Sequence, residues 1–411
     1  MVIIYDLIIR LFYSLICIAS FRNEKARQWI LGRKNFFSSI ENKLSPTKPV
    51  IWFHCASLGE FEQGRPVIEE LRKAHPEHQI VLTFFSPSGY LVRKNYEQAD
   101  LICYLPLDTR KNAVRFIETI KPEKVFFVKY EFWYHYITEL KDRNIPTYII
   151  SAIFRENQAF FKPWGGWYRK ILDAFTMLFV QDQESKNLLE RYNINKVIVS
   201  GDTRFDRVCQ IAKQSKELPS IAKFTASFPV VIIGSSWEPD ENILIQYINE
   251  DPKETRYIIA PHEVNNGNLS SLRQKLKVPF KLYSEITESE DLAQYRVLII
   301  DGYGMLSSVY RYGHIAYIGG GFGVGIHNTL EAATYGMPVI FGPNYTRFKE
   351  ACDMVALNGA FCINDFNSLK NVFDQFLSDP EELRKAGEKA KNYVNTNRGA
   401  TLKILSEIYS L

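Results

Sequence analysis

The chain reads Gly319-Gly320-Gly321-Phe322-Gly323-Val324-Gly325-Ile326-His327-Asn328-Thr329-Leu330-Glu331 between an apolar run and a predicted helix. The apolar run, Ile315–Ile318, is typical of a buried strand. Asn328 or Thr329 is predicted to cap the helix that follows. A strand, a glycine turn and a helix N-terminus together favour an anion, because free N–H groups and the helix dipole converge there. Glu331, one turn into the helix, is placed to accept hydrogen bonds from a ribose. The pattern therefore predicts a nucleotide-linked substrate.

Composition favours a globular protein of two domains. A chain of 411 residues is too long for one ordinary core, and 46% hydrophobic with 23% charged residues is typical of folded proteins. The net charge of +4 gives no bulk support for nucleic-acid binding. The six cysteines are scattered, without a pair or a Cys/His cluster at zinc spacing, so we expect no metal. Absent P-loop, zincin and nucleophile-elbow motifs count against an ATPase, a zincin and an α/β-hydrolase.

The first 21 residues form a separate, apolar segment. Between residues 2 and 21 only Asp6 and Arg10 are charged, and they could pair one helical turn apart. The segment is about long enough to span a bilayer, yet its two charges also suit a helix lying in the interface. Basic residues follow at once, which places the rest of the chain in the cytoplasm. We predict a membrane anchor, with a buried first helix of a soluble domain as the alternative.

Beyond this segment, short apolar runs alternate with helical patterns, which is typical of parallel sheets. We predict an α/β protein with two doubly wound, Rossmann-like domains facing a cleft at the carboxyl ends of their strands. The predicted domains are 22–205 and 229–411, joined by a polar linker at 206–228. The last helix is a candidate to pack back on the first domain. The predicted strands are Val50–His54, Ile80–Phe84, Leu101–Tyr104, Val125–Val128, Thr147–Ile150, Met177–Val180, Val197–Val199, Val230–Ile233, Arg256–Ala260, Val297–Ile300, Ile315–Ile318, Val339–Phe341 and Ala360–Ile363.

Polar motifs in the first half come directly after predicted strands. Glu60 sits at the mouth of a helix, where its charged form is stabilised and can act as a general base toward a hydroxyl. The alternative is an ordinary first-turn acid, and Glu62 is a weaker candidate for the base. The Ser/Gly turn at 86–89 and Glu131 with its neighbouring aromatics are candidates for an acceptor pocket. A plain turn and simple packing are the alternatives there.

The second half repeats this arrangement. Gly234-Ser235-Ser236-Trp237 follows a strand and resembles a phosphate cradle. Pro261-His262-Glu263 and Asp301-Gly302-Tyr303-Gly304 follow two further strands. Together with the glycine-rich stretch, these motifs predict a nucleotide-sugar site in the second domain.

These motifs resemble the 3-deoxy-D-manno-octulosonic acid (Kdo) transferases, glycosyltransferases of the GT-B fold. The resemblance runs over nearly the whole chain. It rests on His54-x-x-Ser57-x-Gly59-Glu60, Ser86-Pro87-Ser88-Gly89, Leu105-Pro106-Leu107-Asp108, Glu131-Phe132-Trp133, Gly201-Asp202-x-Arg204-Phe205-Asp206, Gly234-Ser235-Ser236, Pro261-His262-Glu263, and residues Gly319 to Glu331 followed by Pro338-Val339-x-x-Gly342-Pro343.

The resemblance implies inverting transfer of Kdo from CMP-Kdo to the lipid A precursor, at the cytoplasmic face of the inner membrane and without a metal. It implies that Glu60 is the general base and that Arg204 neutralises the departing phosphate. The implied donor site contains Ser235, Ser236, His262, Glu263, Gly319, Gly320, Gly321, Phe322, His327, Asn328 and Glu331. The implied acceptor site contains Ser57, Gly59, Ser86, Ser88, Gly89 and Glu131.

The chain departs from the family pattern in its first half. Lys129 stands where the family often has Glu, Tyr134 where it has Pro, and Ile153 lies in an altered Arg-x-Ser segment. Two other functions remain as alternatives: a GT-B transferase using a UDP-sugar, and a non-catalytic membrane protein that binds nucleotide-sugars or lipids.

Overall fold

The computed structural model describes residues 2–409 and divides the chain into two compact units. Unit 1 comprises Met1–Arg207 and Arg398–Leu411, and unit 2 comprises Val208–Asn397. Each unit is built on a seven-stranded sheet whose strand pairs are parallel. The two doubly wound, Rossmann-like folds predicted from the sequence are confirmed.

The sheet of unit 1 has the strand order β3-β2-β1-β4-β5-β6-β7. Its central strands are buried along their whole length, which is why they read as continuous apolar runs rather than as alternating patterns. In register, Phe53 lies beside Leu82 and Phe126, and the two phenyl rings stack 4.6 Å apart. The strands are β1 (Val50–Cys55), β2 (Gln79–Phe84), β3 (Leu101–Tyr104), β4 (Pro122–Val128), β5 (Thr147–Ala152), β6 (Met177–Val180) and β7 (Val197–Val199).

The sheet of unit 2 has the order β10-β11-β9-β8-β12-β13-β14. The sequence analysis missed its edge strand, Phe280–Leu282, because a run of three residues after a proline carries no usable periodicity. The strands are β8 (Val230–Ser236), β9 (Arg256–Pro261), β10 (Phe280–Leu282), β11 (Val297–Ile299), β12 (Ile315–Ile318), β13 (Val339–Phe341) and β14 (Ala360–Cys362).

Helices cover both sheets. They are α1 (Val2–Ala19), α2 (Glu24–Leu31), α3 (Phe36–Ile40), α4 (Leu58–Ala74), α5 (Pro87–Arg93), α6 (Arg110–Ile120), α7 (Tyr134–Asp142), α8 (Gly166–Arg169), α9 (Gln183–Glu190), α10 (Thr203–Lys213), α11 (Pro219–Thr225), α12 (Glu238–Glu250), α13 (Asn266–Lys275), α14 (Leu306–Val309), α15 (Leu330–Thr334), α16 (Lys349–Ala356), α17 (Phe366–Ser378), α18 (Pro380–Asn397) and α19 (Ala400–Tyr409). Short 3-10 helices lie at Ala159–Phe161, Leu172–Ala174, Tyr283–Glu285, Leu292–Gln294 and Tyr310–Tyr312.

The stretch predicted as a linker, 206–228, is largely helical. It contains residues 206–213 of α10 and all of α11, and the division between the units falls inside α10, after Arg207. The last helix, α19, belongs to unit 1, where Ile404 and Leu405 are buried in the core. Asp206 holds the start of this helix by accepting bonds from the backbone N–H groups of Gly399 (2.5 Å) and Thr401 (2.7 Å).

Helix α1 is long and apolar enough to cross a membrane, yet one face of it lies against unit 1. The Tyr5 hydroxyl donates to Asp108 at 2.5 Å, and the Asp6 carboxylate lies 2.6 Å from Nε2 of His135. Asp6 therefore pairs with His135 and not with Arg10, the partner considered from the sequence. The opposite face consists of apolar side chains that are more than half exposed: Ile3, Ile4, Leu7, Ile8, Leu11, Leu15 and Ile18.

Candidate functional site

Glu60 lies in the first turn of α4, where β1 ends. Ser57 and Glu60 have the spacing of a capping box, in which the serine would bond the third helical N–H and the glutamate the backbone N–H of the serine. Neither bond forms among the described residues; instead the Ser57 hydroxyl donates directly to the Glu60 carboxylate. Glu60 is half-buried. Its carboxylate is thus diverted from helix capping and stays open to a ligand.

The turn around Glu60 is packed against the next turn of the sheet. The backbone N–H of Ser86 donates to Ala56 at 2.7 Å, and Ser86 caps α5 by accepting from the N–H of Ser88. A Cβ on Gly89 would lie 2.3 Å from Phe84 and 3.1 Å from the Ser57 carbonyl carbon, so only glycine fits. The predicted acceptor-site residues Ser57, Gly59, Ser86, Ser88 and Gly89 therefore form one continuous rim beside Glu60.

Glu131 is committed to contacts inside unit 1. Its Oε2 lies 3.0 Å from Nε2 of His54 and accepts from the indole N–H of Trp133 at 2.7 Å. The other ring nitrogen of His54 lies 2.9 Å from the Thr83 hydroxyl. The Glu131 side chain is only 11% exposed, so it fixes the shape of the rim more than it offers a free carboxylate.

Tyr130, which the sequence analysis did not select, lies near Glu60. Burial raises the pKa of the Tyr130 hydroxyl, and charges on Arg155, Asp182, Glu60 and Arg204 also act on it. Tyr130 therefore stays a hydrogen-bond donor at neutral pH. Its position directly before Glu131 was a signal for a role in the site. The orientation of its side chain, however, depends on tertiary packing.

Arg204 is held at the start of α10. Its Nε donates to Asp202 at 2.7 Å, and its backbone N–H donates to the other oxygen of the same carboxylate at 2.9 Å. Gln63 from α4 also donates to Asp202, at 3.1 Å. The predicted cationic residue is therefore positioned by a buried carboxylate, and about a third of its side chain is exposed.

In unit 2, the carboxyl end of β8 touches the loop after β12. A Cβ on Gly319 would lie 2.2 Å from the Ser235 carbonyl oxygen, so the contact requires glycine there. Ser235 has a positive φ of 53°, and Ser236 is buried with its hydroxyl donating to Glu241 at 2.8 Å. The loops expected to cradle a phosphate are thus adjacent, but the Ser236 hydroxyl already has a partner within unit 2.

Buried Asp240 organises the glycine-rich stretch. It accepts from the backbone N–H groups of Gly320 (2.8 Å) and Trp237 (3.0 Å) and from the Tyr317 hydroxyl (2.8 Å). The N–H of Gly320, expected to face an anion, is therefore turned inward to a carboxylate. The sequence signal was present, since Asp240 lies in the first turn of α12, but nothing local indicated that it crosses to β12.

Three rings stack beside these loops. Trp237 stacks on His262, and His262 on His327, each pair with ring centroids 4.4 Å apart. The Trp237 indole N–H donates to Nε2 of His327 at 2.9 Å. Burial and the neighbouring His262 lower the pKa of His327 to about 4, so its imidazole is neutral at physiological pH. His262 and His327 are brought together as predicted for one site, and Trp237 is the member that was missed.

The remaining predicted donor-site residues differ in exposure. The Asn328 amide donates a hydrogen bond to the Glu331 carboxylate at 2.9 Å, so these two predicted residues contact each other. Asn328 also accepts from the backbone N–H of Leu330, whereas the Thr329 side chain makes no capping bond, so Asn328 supplies the cap contact of α15. Glu263 is exposed and contacts Asn265. Phe322 packs against the core of unit 2 and touches Gly342, as Gly321 does, which indicates a packing role for both.

Within the part of the chain that the structure describes, one group of side chains has metal-ligand geometry. His75, Glu77 and His78 offer ligand atoms within 4.8 Å of one another. They lie after the C-terminal end of α4, whereas Glu60 lies in its first turn. The expectation that the site beside Glu60 works without a metal stays a prediction.

Comparisons with known proteins identify similar sequences. A family model described as 3-Deoxy-D-manno-octulosonic-acid transferase (kdotransferase) matches residues 31–207. A protein of Aquifex aeolicus named 3-deoxy-D-manno-octulosonic acid transferase is 28% identical over 367 residues, covering 87% of this chain and 94% of the relative. The chain is similar to Kdo transferases over most of its length. A Haemophilus influenzae protein of the same name is 24% identical over 399 residues, covering 94% of this chain and 92% of the relative. The resemblance inferred from the motifs is confirmed, and the protein is a glycosyltransferase.

Solved structures agree on the fold. A UDP-GlcNAc 2-epimerase from Neisseria meningitidis aligns with a TM-score of 0.62 at 18% identity, covering 89% of this chain and 100% of that one. MurG of Acinetobacter baumannii aligns with a TM-score of 0.54 at 12% identity, covering 89% and 100%. At these identities the likeness shows the fold alone, and the predicted GT-B fold is confirmed.

Proposed function

We propose that the protein transfers Kdo from CMP-Kdo to the lipid A precursor lipid IVA, inverting the anomeric centre, with Glu60 as the general base. Kdo transfer in lipopolysaccharide synthesis is supported by the similarity to Kdo transferases; the acceptor and the base are the proposed details. The observation that carries the role of Glu60 is its release from the capping box, since Ser57 orients the carboxylate instead.

The proposed step balances in atoms and charge. An acceptor hydroxyl oxygen forms a bond to the anomeric carbon of Kdo, and Glu60 takes the hydroxyl proton. The bond from that carbon to the phosphate oxygen of CMP breaks, and its electron pair leaves with CMP. A role for Arg204 in neutralising the leaving phosphate stays a prediction.

We assign donor binding to unit 2. The adjoining loops at Ser235 and Gly319 and the His262–His327 stack support a pocket for a nucleotide. The pair formed by Asn328 and Glu331 supports the prediction that these side chains accept and donate hydrogen bonds to a ribose. A protein that uses CMP-Kdo should bind cytosine in preference to uracil, whereas one that uses a UDP-sugar should prefer uracil. Comparing the affinities for CMP and UDP measures this preference.

We also infer that α1 attaches the protein to the cytoplasmic face of the inner membrane by lying in the interface. The contacts of Tyr5 and Asp6 with unit 1 support a lying helix, because a helix that crossed the bilayer would give them up. The exposed apolar face is the part that would enter the lipid.

Replacing Glu60 with Gln tests the proposed base. We expect a loss of at least about 100-fold in kcat, because a positioned general base contributes about that much. The measurement is product mass after incubation with CMP-Kdo and tetra-acylated lipid A precursor in the presence of a chelator, which also counts the sugars added.

Glu70→Gln is the matched control, since Glu70 lies on the same helix, its side chain is 39% exposed, and among the described residues it pairs only with Lys73. Near-normal activity of Glu60→Gln would remove the proposed base. A wild-type protein without Kdo transfer but with UDP-sugar turnover would support the alternative transferase, and binding without turnover would support a non-catalytic protein.

A further inference from the structure

A pocket of about 470 Å³ lies in unit 1 beside α1, and nothing in the proposed reaction uses it. Tyr13 of α1, the segment after α2, and the first half of α6 line it. Its lining includes two arginines, Arg33 and Arg115, and no aspartate or glutamate. The pocket therefore has a net positive lining next to the most apolar helix of the chain.

Arg33 is a half-buried cation without a carboxylate partner among the described residues. Its guanidinium donates to the carbonyl oxygens of Leu105 (2.9 Å), Trp29 (3.1 Å) and Phe85 (2.8 Å). Because a guanidinium has five N–H donors, two remain. The Trp29 ring lies 3.7 Å from the guanidinium carbon. Burial of this charge lowers the pKa of Arg33 to about 9, which reflects the cost of an uncompensated cation.

Arg115 brings a second positive charge from α6. Its guanidinium lies over the Phe37 ring at 4.2 Å, and it has no ion pair within residues 2–409. The nearby acid on the same helix, Glu118, is paired with Arg143 at 3.0 Å. Two cations from distant parts of the sequence thus line one pocket while the neighbouring carboxylate is used elsewhere.

The charge of the pocket and its place indicate the same ligand. An anion would supply the missing countercharge, and phosphate oxygens match the fork of a guanidinium. Tyr13 connects the pocket to α1, whose outer face is apolar and exposed. A phosphate entering here would be attached to a molecule whose acyl chains stay in lipid.

We propose that this pocket binds a phosphate group of a lipid, carried either by an anionic phospholipid or by the lipid acceptor. This site is additional to the proposed function, which assigns no role to Arg33 or Arg115. Its effect is to orient unit 1 on the membrane surface or to select phosphorylated acceptors.

The test uses the full chain with Arg115→Gln and, as a control with the same charge change, Lys111→Gln. Lys111 is exposed on the same helix and does not line the pocket. One arm measures equilibrium binding to phosphatidylcholine vesicles with and without phosphatidylglycerol. The other measures equilibrium binding of lipid A precursor with and without its phosphates. Neither arm needs turnover, so both remain decisive if Kdo transfer itself fails.

We expect Arg115→Gln to weaken one of these interactions about fivefold or more relative to Lys111→Gln. A loss confined to vesicles with phosphatidylglycerol identifies a phospholipid head group. A loss confined to the phosphorylated precursor identifies the acceptor. Equal behaviour of the two variants in both arms, with unchanged near-ultraviolet circular dichroism, would overturn the proposal.

Discussion

Among single residues, two glycines near the proposed base differ in the space around them: Gly59 has room for a side chain and Gly89 does not. A Cβ on Gly59 would meet only the Ser57 hydroxyl, at 3.8 Å, whereas a Cβ on Gly89 would collide with buried Phe84. We expect Gly89→Ala to lower the free energy of unfolding by about 1–3 kcal/mol through overpacking. Gly59→Ala should fold normally and lower kcat/KM for the acceptor about tenfold, because its methyl group stands on the open side next to Glu60. Thermal unfolding and acceptor kinetics measure the two effects.

The two variants serve as each other's control. If Gly59→Ala kept full activity, the acceptor would approach Glu60 from another side, and the rim would lose its assignment. If Gly89→Ala were as stable as wild type, the packing of the two turns would be looser than the contacts of Gly89 indicate.

The sequence predicted the site residues that carry local signals, and it missed those placed by long-range contacts. Glu60, Ser235 and His327 follow strands in recognisable motifs, and turns after parallel strands gather at one sheet edge. Asp240 and Trp237 were missed because their partners lie some 80 and 90 residues away along the chain, beyond any local pattern.

Of the helices, α1 gives the sharpest prediction. Replacing Leu7 and Leu11 with Glu should abolish flotation with vesicles, because both side chains are exposed on the outer face and carboxylates are costly in lipid. The fold should not change, since neither side chain is buried. Asn392→Glu with Asn395→Glu, both exposed on α18 in unit 2, is the control for two added charges. Undiminished flotation of the double variant would end the anchoring role.

A second measurement separates a lying helix from a spanning one. Cysteines at Asp6 and His135, whose side chains touch at 2.6 Å, should be joined by a short bismaleimide as efficiently in vesicles as in solution. Cross-linking that disappears on vesicle binding would mean that α1 leaves unit 1 and enters the bilayer.

For the chain as a whole, unit 1 depends on a helix that comes after unit 2. Asp206 accepts three bonds at the start of α19, from the backbone of Gly399 and from the backbone and hydroxyl of Thr401. We expect Asp206→Ala to cost about 1–2 kcal/mol at this helix. Hydrogen exchange should rise in residues 399–409.

Asp379→Ala, which removes a similar cap from α18 in unit 2, is the matched control. It should leave exchange in α19 unchanged. If Asp206→Ala raised hydrogen exchange across both units, α19 would not unfold independently of the rest of the chain.

The parallel sheets could be predicted because their strands are continuous apolar runs, but the closing of unit 1 could not. The bond from Gly399 to Asp206 joins residues 193 positions apart. Residues 206–228 are polar, and this composition fits an irregular linker as well as a helix. It therefore did not predict that α10 continues across the boundary between the units.

Unit 2 is inserted into unit 1, and this sets an order on the ribosome. All of Val208–Asn397 is made before the helix that completes unit 1. The sequence of unit 2 is therefore complete before that of unit 1. Until α19 is made, the apolar surface that Ile404 and Leu405 later cover stays exposed to solvent on the nascent chain. Exposed apolar surface of that kind is where incomplete chains aggregate or are held by chaperones. The unit whose translation starts before that of the inserted unit is therefore the one that matures after it.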